Sequence, residues 1–219
     1  MVGRAPEGRV RTILIPPVGL EGLLGLPVQT RGIVLFAHGG GSGRFSPRNN
    51  FVAQALREAG LATLLFDLLT AREAEDRRIV FDISLLAQRL LIATAWARDD
   101  AETASLPLGY FGASTGAAAA LVSAAADQGP VDAIVSRGGR PDLAGPALLS
   151  VKAPTMLIVG GDDLEVLALN RTALGQLRCE KELVIVPSAT HLFEEPGTLK
   201  AVVRHTRGWF SDHFGKTVK

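Results

Sequence analysis

Cysteine is close to absent from this sequence: Cys179 is the only one in 219 residues, so no disulfide can form within the chain. Such usage fits a reducing compartment. An excess of either charge is also missing. Lys and Arg number 23 against 22 Asp and Glu, a formal net charge of +1, which argues against a nucleic-acid footprint or a polybasic membrane patch. No stretch approaches the roughly 18 uninterrupted apolar residues that a membrane helix needs. The opening residues, MVGRAPEGRVRTILIPP, have neither a continuous apolar run nor a small-residue cleavage site, so no secretory leader is expected. No Cys/His group has zinc spacing, and neither a metal nor an organic cofactor is expected. These absences predict a soluble, cytoplasmic protein with no nucleic-acid or membrane partner. They leave its oligomeric state open.

What is present is a large apolar fraction, 47% of the residues, enough for a substantial core. At this length a single α/β domain spanning residues 1–219 is the expectation. Residues 9–15 alternate polar and apolar as a half-buried strand does, and 18–27 reads as a second strand, in a hairpin with the first. The run GIVLFAHG at 32–39 is almost wholly apolar and ends in glycines, the pattern of a strand buried on both faces. Ser46 and Pro47 open a helix that Gly60 ends. A strand follows at 61–67, then a charged segment read as a solvated loop or helix start, then an amphipathic helix capped by Asp82.

The alternation continues with strands at 106–112, 131–136, 154–161 and 182–187. Helices are expected at 116–127, 167–177 and 197–214. This rhythm predicts a mostly parallel, doubly wound sheet with helices on both faces. Residues 137–153 form the longest stretch without clear helix or strand character, too short for a lid domain.

Gly112-Ala113-Ser114-Thr115-Gly116 is a G-x-S-x-G string between an apolar strand and an alanine-rich helix. A nucleophile elbow needs that context, because a sharp strand-to-helix turn exposes the serine and tolerates only small neighbours. Helix capping with glycines for packing is the simpler role for these residues. A serine hydroxyl requires a base. Of the four histidines, His205 and His213 fall in the closing helix, where a solvated surface role is expected, and His38 belongs to a glycine loop. His191, just beyond the last strand, is the candidate base. Asp162 and Asp163 both follow the strand before last, and a carboxylate there can orient the histidine. Asp163 is preferred for its G-x-x-D spacing from Gly160, with Asp162 as the alternative. The chain order Ser114, Asp163, His191 is that of an α/β-hydrolase triad.

The Thr115 N–H, directly after the nucleophile, is one candidate oxyanion donor. The second is expected from the loop His38-Gly39-Gly40-Gly41-Ser42-Gly43, with Gly40 favoured and Gly39 also a candidate. That loop lacks the Gly-Lys-Ser/Thr of a Walker motif and the last glycine of a dinucleotide fingerprint. Arg44, Arg48, Arg137 and Arg140 all follow strand ends, where ligands bind in open α/β sheets. Arg44 and Arg137 are candidates for gripping a substrate carboxylate or phosphate. Bracing of loops by pairing with Asp142, Glu194 or Glu195 is the competing expectation.

With these residues in place, the sequence resembles the dienelactone hydrolase family of the α/β-hydrolase superfamily in its small, lidless form. The likeness covers nearly the whole chain through FAHGGGSGRFSPRN, LLFDLLT, GASTG, SRGGRPDLAG, LIVGGDD and ATHLFEEPG. The last segments resemble a bacterial subgroup sometimes fused to a phosphoribosyltransferase domain, and no such domain is expected within these residues. The resemblance implies an α/β-hydrolase fold and ester chemistry. Dienelactone hydrolases proper use cysteine where this chain has Ser114, so the expectation is a serine esterase for small, short-acyl esters. Thioesterase, lactonase and acyltransferase activities share the constellation, and a non-catalytic ligand-binding protein is the reading from a different class.

Overall fold

The computed structural model describes residues 8–126 and 129–215. Residues 1–7, on which the leader reading partly rests, and Asp127, the expected end of the alanine-rich helix, lie outside the described residues.

Eight strands form one sheet in the order β1-β2-β4-β3-β5-β6-β7-β8. β1 (Arg9–Ile15) and β2 (Leu20–Leu26) make the expected antiparallel hairpin, and β2 also runs antiparallel to β4 (Ala62–Phe66). The other pairings, through β3 (Ile33–Ala37), β5 (Leu108–Ala113), β6 (Ala133–Arg137), β7 (Thr155–Gly160) and β8 (Lys181–Val186), are all parallel. Parallel neighbours need crossover connections, and the crossover helices cover both faces. Every residue of β3, β4 and β6 is accordingly buried, which is why β3 reads as an unbroken apolar run, while β4 and β6 also bury Thr63, Ser136 and Arg137.

Alternate residues of each strand feed two cores. Ile33, Leu35 and Ala37 of β3 face a layer containing α4 (Ile83–Asp99) and α5 (Thr115–Ala125), whose Leu86, Leu90, Ala118 and Leu121 pack there. Val34 and Phe36 face the opposite layer, where Val52 and Leu56 of α1 (Pro47–Glu58) meet Val202 and Phe210 of α7 (Thr198–His213). α6 (Leu164–Gln176) adds Ala173 to the first layer.

Local signals place the helix ends. Ser46 accepts a hydrogen bond from the Asn49 N–H with Pro47 at the first helical position, and Gly60, at φ +81°, follows the last turn of α1. Asp82 accepts from the Leu85 N–H at the start of α4. The charged segment before α4 forms two single-turn helices, α2 (Ala71–Ala74) and α3 (Arg77–Val80), capped by Thr70 and Asp76.

Three expectations are corrected. Residues Pro141–Ser150, read as irregular, are 3₁₀-helical with a break at Gly145 (φ 52°), because Pro141 and Pro146 disrupt the helical periodicity that the sequence could show. Helix α6 begins at Leu164 rather than 167, with Asp163 itself at the N-cap position. His213 is not a surface residue: it is buried, its Nδ1 lies 2.7 Å from the Trp209 carbonyl, and its ring packs at a tilt of 42° against Trp209. The amphipathic face of α7 turns it inward. Among the described residues no helix is long and apolar enough to cross a membrane.

Candidate active site

The candidate side chains lie where strands β3, β5, β6, β7 and β8 end. Ser114 follows β5 directly and has φ 51° and ψ −124°, backbone geometry that residues with a side chain seldom adopt. Its hydroxyl makes no capping bond to α5, so helix capping does not explain the residue. The conformation is held from outside: the Ser114 N–H donates to the Arg137 carbonyl and the Arg140 N–H donates to the Ser114 carbonyl. The flanking glycines have a steric cause. A Cβ on Gly112 would sit 2.5 Å from Ala117 Cα, and one on Gly116 would sit 2.0 Å from the Ala37 carbonyl oxygen.

His191 and Asp163 are joined by a hydrogen bond of 2.7 Å between Nδ1 and Oδ2. A carboxylate acceptor puts the imidazole proton on Nδ1 and leaves Nε2 with a free lone pair. The meeting of these loops is built by backbone. The Asp162 N–H donates to the Ala189 carbonyl, and a Cβ on Gly160 would lie 2.3 Å from that same oxygen. Phe193, buried just past His191, anchors the loop, a burial worth roughly 1.5–3 kcal/mol. Asp162 is exposed and its side chain has no hydrogen bond among the described residues. His191 also lies against the end of β6: a Cβ on Gly138 would be 3.7 Å from His191 Cε1. Ser114 Oγ has no hydrogen-bond partner among the described residues.

The glycine loop after β3 lies against the elbow. A Cβ on Gly39 would come within 2.8 Å of Ser114 Cβ. The Gly40 N–H donates to Thr115 Oγ1 at 3.1 Å, a tether that the sequence reading missed; a hydroxyl directly after the nucleophile is the signal that could have revealed it. His38 is buried between loops. Its Nε2 accepts from the Leu68 N–H at 2.9 Å, which puts the proton on Nδ1, 2.9 Å from the Gly39 carbonyl. Burial holds its pKa below the ordinary value, so the ring stays neutral. A cleft of about 920 Å³ adjoins this loop, lined among others by Gly39, Gly40, Arg44, Arg48, Asp67 and Val80.

The arginines divide. Arg44 is paired with Asp67 and Glu21, Arg48 with Glu194, and Arg140 with Asp142. Arg137 differs: it is buried, has no acceptor among the described residues, and lies 5.8 Å from the centre of the Phe193 ring. Burial, and secondarily the charge of Arg48, push its pKa down to about 10, so it remains a cation at neutral pH.

The sheet order and the elbow at the end of β5 define an α/β-hydrolase fold without a lid domain. No family model matches the chain. The crystal structure of a dienelactone hydrolase from Anabaena variabilis ATCC 29413 is 54% identical, with 95% of this chain and 99% of that one covered at a TM-score of 0.91. The chain belongs to the dienelactone hydrolase family. A Xanthomonas campestris protein described as an α/β serine hydrolase without lid is 22% identical and shares the fold at a TM-score of 0.76, with 98% of both chains covered. A Mycobacterium tuberculosis protein named as a phosphoribosyl transferase is 57% identical over 201 residues, 92% of this chain and 45% of that protein. The chain thus spans about half the length of the curated relatives it matches.

Proposed function

We propose that this protein is a serine esterase that cleaves carboxylic esters of small, short-acyl substrates. The observation that carries the reading is the 2.7 Å bond from His191 to Asp163 at the same sheet edge as a strained, uncapped Ser114. In this mechanism His191 Nε2 takes the Ser114 hydroxyl proton as Oγ attacks the ester carbonyl. The tetrahedral oxyanion is met by the Thr115 N–H and by the Gly40 N–H, the latter shared with Thr115 Oγ1. The carbon–oxygen bond to the leaving alcohol then breaks, and His191 returns the proton to that alcohol. Water, deprotonated by His191, attacks the acyl-enzyme, and collapse of the second intermediate releases the acid and restores Ser114. Asp163 holds the ring in its productive tautomer and stabilises the imidazolium form.

Thioesters and lactones would pass through the same steps. Acyl transfer would require only that an alcohol replace water. The transferase name of the Mycobacterium tuberculosis relative belongs to a protein about twice this length, so the present reading rests on this chain's own residues. The first test is labelling with a fluorophosphonate, read by intact mass. One adduct is expected on the wild type and none on Ser114→Ala. A folded wild type that takes no label would favour a ligand-binding protein instead.

A further inference from the structure

We infer that the Thr115 side-chain hydroxyl is a third oxyanion donor, giving its proton to the hydrogen bond that meets the tetrahedral intermediate. The inference deepens the esterase reading and rests on it. In the free enzyme the Gly40 N–H is already engaged, at 3.1 Å, by Thr115 Oγ1. That oxygen is the acceptor there and keeps its own proton for another partner. Among the described residues the hydroxyl donates to nothing, although Thr115 is buried. A buried hydroxyl seldom leaves its donor idle. Thr94, Thr103, Thr155 and Thr198, also buried, each give theirs to a backbone carbonyl. Thr63 and Thr206 do not, but they stand near the start of β4 and inside α7 rather than beside the nucleophile.

The position suits the role. Thr115 is the first residue of α5, so its N–H has no acceptor inside the helix, and helical side chains lean towards the N-terminal end. Its hydroxyl therefore shares that end with its own N–H and with Ser114. The glycine loop closes the other side. A Cβ on Gly39 would come within 2.8 Å of Ser114 Cβ and 3.4 Å of Ser114 Oγ, and Gly40 continues directly from it. An oxygen bound to the Gly40 N–H and carried by the residue after the nucleophile thus stands with both backbone donors. The Gly40 N–H polarises the hydroxyl it binds, and such a hydroxyl donates more strongly to an anion than to a neutral ester oxygen. The gain falls on the intermediate rather than on the bound ester, as catalysis requires. No atom is transferred: the hydroxyl keeps its proton while Ser114 Oγ adds to the carbonyl carbon. The rival role for the same contact is a tether, in which the hydroxyl only holds the Gly40 loop.

A crystal structure of the wild type phosphorylated on Ser114 by diethyl 4-nitrophenyl phosphate separates the two, because the adduct's phosphoryl oxygen occupies the oxyanion position. Thr115 Oγ1 should lie about 2.5–3.0 Å from that oxygen. A separation beyond about 3.5 Å overturns the third donor and leaves only the tether. In kinetics on 4-nitrophenyl acetate, Thr115→Val keeps the shape of the side chain and removes the hydroxyl. It should lower kcat/KM by about 100-fold, the size of one lost oxyanion donor. Thr115→Ser, which returns the hydroxyl, should recover at least about tenfold of that loss. A Thr115→Val enzyme within about threefold of wild type also overturns the proposal. Should Thr115→Val fail to fold, the wild-type adduct alone decides. An adduct with the hydroxyl turned away strikes the third donor and leaves the esterase reading standing. Folded wild type that forms no adduct strikes both.

Discussion

Two adjacent aspartates, chemically identical, differ here by a single backbone step. Asp163 turns its carboxylate onto His191, while Asp162 spends its backbone N–H on Ala189 and leaves its side chain in solvent. The pair therefore offers a test with its own control. Asp163→Asn should lower kcat on a short-acyl nitrophenyl ester by on the order of 10⁴-fold, since an amide stabilises the wrong tautomer and no imidazolium. Asp162→Asn should change it by less than about threefold. Equal losses would mean that the acid is not assigned by this geometry. The spacing G-x-x-D favoured Asp163 in the sequence, but two neighbouring carboxylates could be separated only by the direction in which each side chain leaves the turn.

At the scale of elements, His38 links the loop after β3 to the loop after β4 through the Gly39 carbonyl and the Leu68 N–H. Protonation at Nε2 would remove the acceptor that Leu68 needs. Burial depresses the folded-state pKa, so between that value and the ordinary 6.5 the unfolded chain binds the proton more readily than the folded one. Stability from this residue is therefore complete above about pH 6.5 and is lost as pH falls below it. Thermal unfolding measured from pH 8 to pH 5 should show a midpoint that declines on the acid side, with a shallower decline in His38→Gln. Parallel curves for the two proteins would exclude His38 as the source. Nothing in the sequence marks this histidine as a strut, since the N–H it accepts from, that of Leu68, comes from just past a strand end 30 residues away.

At the scale of the molecule, the sheet order brings strand ends together from β3 to β8, and among the described residues no separate domain covers the candidate site at that edge. The cleft beside the glycine loop is bordered by Glu21, Arg44, Asp67 and Arg48, charges that a long hydrocarbon chain would have to desolvate. A series of nitrophenyl esters from acetyl to dodecanoyl should therefore peak at short chains. The fall in kcat/KM by decanoyl should be about tenfold or more. A maximum at long chains would mean that the open edge accommodates an extended acyl group after all.

The strands, most helices and the elbow were legible because each is written in neighbouring residues: buried parallel strands as apolar runs, helix starts as Ser-Pro or Asp caps, the turn as paired glycines. Asp163 and His191, the candidate partners of Ser114, each follow their own strand, as the chain order led one to expect. Tertiary structure alone decided what depends on distance through space. It selected Asp163 over Asp162 as the partner of His191, turned His213 into the core, tied Gly40 to Thr115, and matched Arg44, Arg48 and Arg140 with carboxylates while leaving Arg137 without one. A charge's partner is set by which chain segments the fold packs beside it, and no local pattern records that.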